Sequence, residues 1–149
     1  MGSKSNTFEA EILKHIFTNT AIANIGDAAG LPAGTEGSLY VSLHTATLDD
    51  TSTQDTSETA YTNYVRLAVP RNSTWWDATT TAGTVYPAQD FDFAECGATP
   101  GAAVTHFGIG KEAAAGGELL LYWGALNPSI TMATGVIPRI KTTSTITED

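Results

Sequence analysis

Cysteine is almost missing from this chain. Cys96 is the only one in 149 residues, so no intrachain disulfide can form, and no Cys/His cluster has the spacing of a zinc site. Charge is scarce too, at 15% of residues, and positive charge scarcest. Seven Lys and Arg face sixteen Asp and Glu, for a formal net charge of −9. The cations Lys4, Lys14, Arg66, Arg71, Lys111, Arg139 and Lys141 are scattered along the chain. An acidic chain without a basic cluster repels phosphate backbones, which argues against direct nucleic-acid binding. No run approaches the roughly 20 apolar residues that span a bilayer. The N-terminus lacks the apolar stretch of a signal peptide. The start Met1-Gly2-Ser3-Lys4-Ser5-Asn6 departs from the myristoylation pattern at Asn6, where Ser or Thr is expected. These features describe a soluble protein made in a cytoplasm, with no membrane partner.

What is abundant is threonine, 24 residues, and alanine, 21. Thr suits strands whose outer face is wet or touches another subunit. The length fits one domain over residues 1–149, large enough to bury roughly two thirds of its unfolded surface. One helix is predicted at about residues 7–19, with Asn6 as N-cap, Glu9 three residues on, and Phe8, Ile12, Leu13, Ile16 and Phe17 at helical spacing. Residues 20–37, rich in Gly, read as a connector lying on the core. Gly37 to Thr45 (GSLYVSLHT) alternates with period 2, Leu39, Val41 and Leu43 facing one way and Tyr40, Ser42 and His44 the other, as in a strand with one buried face. Residues 46–60 form a long polar loop. Its stretch from Asp49 to Thr59 has no apolar residue and is expected to be solvated, mobile or held by a neighbour.

A second strand is expected over 61–69, with Val65, Leu67 and Val69 on one face and Tyr64, Arg66 and Ala68 on the other, ended by Pro70. Trp75 and Trp76 are adjacent, so on an extended chain one enters the core and one points out. Further short strands are expected near 84–86, 90–94, 103–109, 118–126, 136–141 and 143–147, with a turn over Ala113 to Gly117. Eight or so short strands after a single helix describe a mainly β fold, an antiparallel β-sandwich or jelly-roll-like domain with one N-terminal α-helix.

Catalytic constellations fail in turn. The imidazoles His15, His44 and His106 read as structural, and Cys96 lacks a positioned base. Asp49, Asp50, Asp55 and Glu58 lack the order of an EF-hand loop, and Gly108-Ile109-Gly110 lacks the lysine and helix of a phosphate loop. No catalytic residue, metal or cofactor is expected. A hydrolase would need two carboxylates converging at about 5–9.5 Å, and nothing selects a pair from Asp77, Asp90, Asp92, Glu95 and Glu118.

The ordered phrases Ser38-Leu39-Tyr40-Val41-Ser42-Leu43-His44-Thr45, Tyr61-Thr62-Asn63-Tyr64-Val65-Arg66, Thr105-His106-Phe107-Gly108-Ile109-Gly110 and the end Thr147-Glu148-Asp149 resemble a family of small tailed-bacteriophage virion proteins, tail-fibre-like or capsid-decorating. The likeness runs from about Phe8 to Asp149. It implies a non-enzymatic virion structural protein. The chain has no β-helical repeat or heptad shaft, so the first expectation is a capsid decoration, or cement, protein. It would sit on the outer head surface as a homotrimer and bridge subunits of the major capsid protein. The alternative is a tail-fibre, collar or tail-tip component that contacts the host. Because interface cores favour Tyr and Trp, the contact candidates are Tyr40, Tyr64, Trp75, Trp76 and Tyr122.

Overall fold

In a computed structural model, residues 5–21, 37–81, 83–116 and 119–147 are described. The connector reading for 20–37 and the carboxylate Glu118 fall largely or wholly outside them. The single helix among these residues, α1, runs Asn6–Thr18. Its first internal bond runs from Glu9 N to Ser5 O at 3.0 Å, which makes Ser5 the N-cap in place of the expected Asn6. Serine and asparagine cap about equally well, so spacing alone could not choose between them. At the other end Asn19 turns left-handed (φ 52°), and Thr20 N reaches back to Lys14 O at 3.2 Å, which satisfies one of the last helix carbonyls.

Among the described residues nine strands follow: β1 Ser38–His44, β2 Leu67–Pro70, β3 Trp76–Thr81, β4 Thr84–Pro87, β5 Phe91–Asp92, β6 Val104–Gly110, β7 Leu120–Ile130, β8 Arg139–Ile140 and β9 Ile146–Thr147. The chain is therefore mainly β with antiparallel pairing and one helix, the class expected. Contacts divide it into two units, each assembled from separated segments. One takes Met1–Ser38, Pro70–Asp90 and Ile140–Asp149; the other takes Leu39–Val69 and Phe91–Arg139.

The first unit is a helix on a small sheet. β3, β4 and β9 pair antiparallel in that order, with Val85 opposite Ile146. The strand expected near the C-terminus thus has a partner. α1 packs on β3 and β4 through Leu13 and Phe17, and the Phe17 ring meets Trp76 edge-on with centroids 4.7 Å apart. Arg71 fastens the helix end, donating from Nε to Ile16 O at 2.5 Å and from a terminal nitrogen to His15 O at 2.6 Å. A cation there suits the negative end of the helix dipole.

The second unit holds a four-stranded sheet in the order β2-β1-β6-β7. β1 and β6 pair antiparallel with Tyr40 opposite Gly110, Ser42 opposite Gly108 and His44 opposite His106. β6 pairs antiparallel with β7, placing Gly108 opposite Trp123 and Phe107 opposite Gly124. Leu39, Val41, Leu43, Val69, Val104 and Ile109 are buried, as are Tyr61, Phe91, Phe93 and Cys96. Phe91 and Phe93 face inward together, as the alternation of that segment implies.

Two sequence expectations change here. The first is the outer face of β1, expected to be half wet: Ser42 and His44 are as buried as the leucines of the opposite face. The second is the stretch before β2. Tyr61 to Arg66 forms a turn, with Tyr64 N bonded to Tyr61 O at 2.9 Å and Asn63 left-handed (φ 79°). Val65 points out at 65% exposure while Arg66 is buried. Apolar alternation failed there because Arg66 has enough acceptors inside to make a buried guanidinium tolerable, a condition set by residues distant in sequence.

Candidate functional site

The polar loop 46–60 is folded down over β1. Leu48, the last apolar residue before the polar stretch, is buried and anchors its start. Asp49 closes the next turn: its Oδ1 accepts from Thr51 N at 2.9 Å, Thr51 Oγ1 at 2.8 Å and Ser52 Oγ at 3.0 Å. Those bonds, the Thr51 hydroxyl first, hold its carboxyl below the usual carboxylate range. The loop returns alongside β1, with Thr45 N bonded to Ser57 O and Thr59 N to Leu43 O, each at 2.9 Å. His44 and Glu58 form an isolated antiparallel bridge. Of the three possibilities for this stretch, solvated, mobile or held by a neighbour, the structure shows it held against β1, with Asp49, Asp50, Thr51, Asp55 and Ser57 still exposed. The segment lacks apolar residues because polar bonds, not greasy burial, hold it.

Three buried side chains join the loop to β1. Gln54 is fully buried and donates from Nε2 to Tyr40 O at 2.7 Å, with Ser42 Oγ at 3.4 Å. Ser42 Oγ lies 2.9 Å from His44 Nε2, and His44 Nδ1 lies 2.8 Å from Thr56 O. A carbonyl can only accept, so the proton sits on Nδ1, and Nε2 accepts from the Ser42 hydroxyl. The result is a directed chain from Gln54 through Ser42 and His44 to the backbone of the loop. Burial pushes the His44 pKa below its ordinary value, keeping the ring neutral.

Glycines make the room. A Cβ on Gly108 would stand 2.7 Å from His44 Nε2 and 2.9 Å from Ser42 Oγ. On Gly110 it would meet Gln54 Oε1 at 2.1 Å. The phrases SLYVSLHT and THFGIG are thus two halves of one arrangement, polar side chains on β1 lying over bare backbone on β6.

Arg66 clamps the loop from its side. The guanidinium pairs with Asp55 and with Glu58, at 2.7 Å from Oε2 and 2.8 Å from Oε1. It also donates to Glu112 O at 3.1 Å and Ala114 O at 2.8 Å, in the turn between β6 and β7. Asp55 further accepts from Gly116 N at 2.7 Å. Hydrogen bonding to Glu58 raises the Arg66 pKa well beyond its normal value. Tyr64 completes the clamp: its hydroxyl donates to Glu58 Oε1 at 2.7 Å and accepts from Leu43 N at 3.1 Å. Burial, then the Glu58 bond, pushes the phenol's pKa far up, so it stays protonated.

The Ser42–His44 distance is that of a nucleophile and its base, yet both residues are 0% exposed, so no substrate reaches them. Among the carboxylates considered for hydrolysis, Asp92 pairs with Arg139, Asp90 Oδ1 accepts from Thr142 N at 2.9 Å, and Asp77 Oδ1 accepts from Thr79 N at 2.9 Å. Among the described residues no three of His, Cys, Asp and Glu gather as a metal site. A pocket of about 380 Å³ opens beside the clamp, lined by Glu58, Thr59, Tyr61, Val65, Arg66 and Ala113 to Ala115. The Tyr61 hydroxyl donates to Ala94 O at 2.9 Å, and burial lifts its pKa to about 12.

Of the five aromatic contact candidates, Tyr40 and Tyr122 are half-buried on the sheet of the second unit. Tyr64 is half-buried with its hydroxyl turned into the clamp and its ring stacked on Phe93 at 6.4 Å. Trp76 is the inward tryptophan of its pair, 1% exposed, and Trp75 the more accessible one. The large apolar side chains most open to solvent are others: Val65, Leu119, Trp123 and Ile137. Trp123 could have been found by extending the alternation of β7, whose odd-numbered positions from Trp123 to Ser129 are exposed.

The model of one protein family, described as Gp80, podophage GP4 fiber I protein gp80, matches residues 3–148. Among curated proteins none matches.

Proposed function

We infer the role of this chain from its family: it belongs to the family of podophage GP4 fiber I protein gp80 and is a virion structural protein of a tailed phage. Within that role it is a fibre component, and it acts by contact. The observation that carries this reading is the family match over nearly the whole chain, under a description that names a fibre protein. The burial of Ser42 and His44 supports a non-enzymatic role, since the most enzyme-like pair has no access to solvent. The surfaces for contact in the second unit are the open apolar side chains Val65, Leu119, Trp123 and Ile137.

A second reading is capsid decoration, as a homotrimer bridging subunits of the major capsid protein on the outer head. It is favoured by the lack of any shaft-like repeat or heptad run in the sequence. Bridging subunits would stabilise the assembled shell through the area buried across its seams. Cryo-electron microscopy of the particle separates the two. The fibre reading expects density for this chain on the tail or its appendages. Density on the outer head surface at three-fold positions would overturn it in favour of decoration.

A further inference from the structure

We propose that residues 46–60 form an acid-releasable strap, held closed by His44 only while its ring is uncharged. The geometry gives the reason. Neutral His44 accepts the Ser42 proton at Nε2 and donates from Nδ1 to Thr56 O, so one ring ties the strap backbone to β1. Adding a proton at Nε2 turns that acceptor into a donor. The Ser42 hydroxyl, already approached by Gln54 Nε2, then has no acceptor for its own proton. A positive charge also appears at a residue with 0% exposure.

Groups facing this site from every side decide whether the charge is tolerated. Arg66 and His106 oppose it, and Glu58 of the strap favours it. Glu58 is already engaged, with one oxygen accepting from Tyr64 and Arg66 and the other from Arg66. The Tyr64 phenol is neutral and brings no negative charge. Burial outweighs these influences and holds the pKa below the ordinary 6.5. The closed strap therefore binds fewer protons than the open one. Its stabilisation by His44 is complete above 6.5 and is lost as pH falls below that value through the lowered pKa of the closed form. Release is expected to be local, because the strap rests on polar bonds while the opposite face of β1 keeps Leu39, Val41 and Leu43 in the apolar core.

Hydrogen exchange on the full chain tests this, at about pH 7.5 and about pH 5 after correction for intrinsic rates. The expected result is a loss of protection of about tenfold or more in 46–60, with β6 and α1 unchanged. Unchanged strap protection would overturn the proposal. So would release only below about pH 4.5, where carboxylates titrate, or a loss shared by the whole chain. In His44→Gln the acid dependence of the strap should vanish, and its persistence would count against His44. Should that variant not fold, NMR titration of the wild-type His44 ring decides. Its midpoint must coincide with strap release, and separate midpoints refute the link.

Discussion

Each of the two units is fastened by an arginine, and the two arginines differ in what they hold. Arg71 ties down neutral carbonyls at the end of α1, and burial lowers its pKa. Arg66 ties down two carboxylates of the strap, and its pKa rises. The first unit would keep its main cement, the Phe17–Trp76 contact, without its arginine. The strap has little such reserve, since beyond Leu48 at its start it offers the core no apolar side chain between Asp49 and Thr59. Where burial is apolar, a buried charge is an accessory. Where it is polar, the charge is the fastening, and removing it strands its partners.

That contrast can be broken from either side. The largest effect is expected from Trp76→Ala, which empties the apolar contact in the first unit and should cost about 4 kcal/mol in chemical denaturation. Arg66→Met should cost about 3 kcal/mol, the low end for a broken buried pair because Asp55 is 37% exposed at its side chain. It should also raise hydrogen exchange in 46–60 far more than in β7. Gly110→Ala drives a methyl into Gln54 and should cost about 2 kcal/mol, relieved in part by Gln54→Ala in a double-mutant cycle. Arg71→Gln, which leaves helix carbonyls to other donors, should cost least, about 1 kcal/mol, read as a melting-temperature shift of about 2–4 °C. If Arg71→Gln proved costlier than Arg66→Met, the contrast between the two fastenings would be wrong.

The apolar half of the fold could be read from the chain. The helix was expected from Ile12, Leu13, Ile16 and Phe17, and β1 from its period-2 run, because local spacing dictates which side chains share a face. Strand ends were read less well: β2 is shorter and β7 longer than expected, since pairing partners fix where a strand stops. The polar layer was unreadable for a further reason. Nothing local to Gln54, Glu58 or Arg66 states that they meet, and the glycines that admit them lie on another strand, at 108 and 110. A signal was present nonetheless: two alternate glycines, which the register sets opposite Tyr40 and Ser42, fit a strand with a polar partner layer.

The most direct test is amide hydrogen exchange over residues 45–60 at neutral pH, in the wild-type chain and in Arg66→Met. A clamped strap predicts wild-type amides of Thr45, Thr56, Glu58 and Thr59 protected in line with their backbone bonds, and that protection lost in the variant. Exchange of these amides at the unprotected rate in the wild type, or equal protection in both proteins, would contradict it.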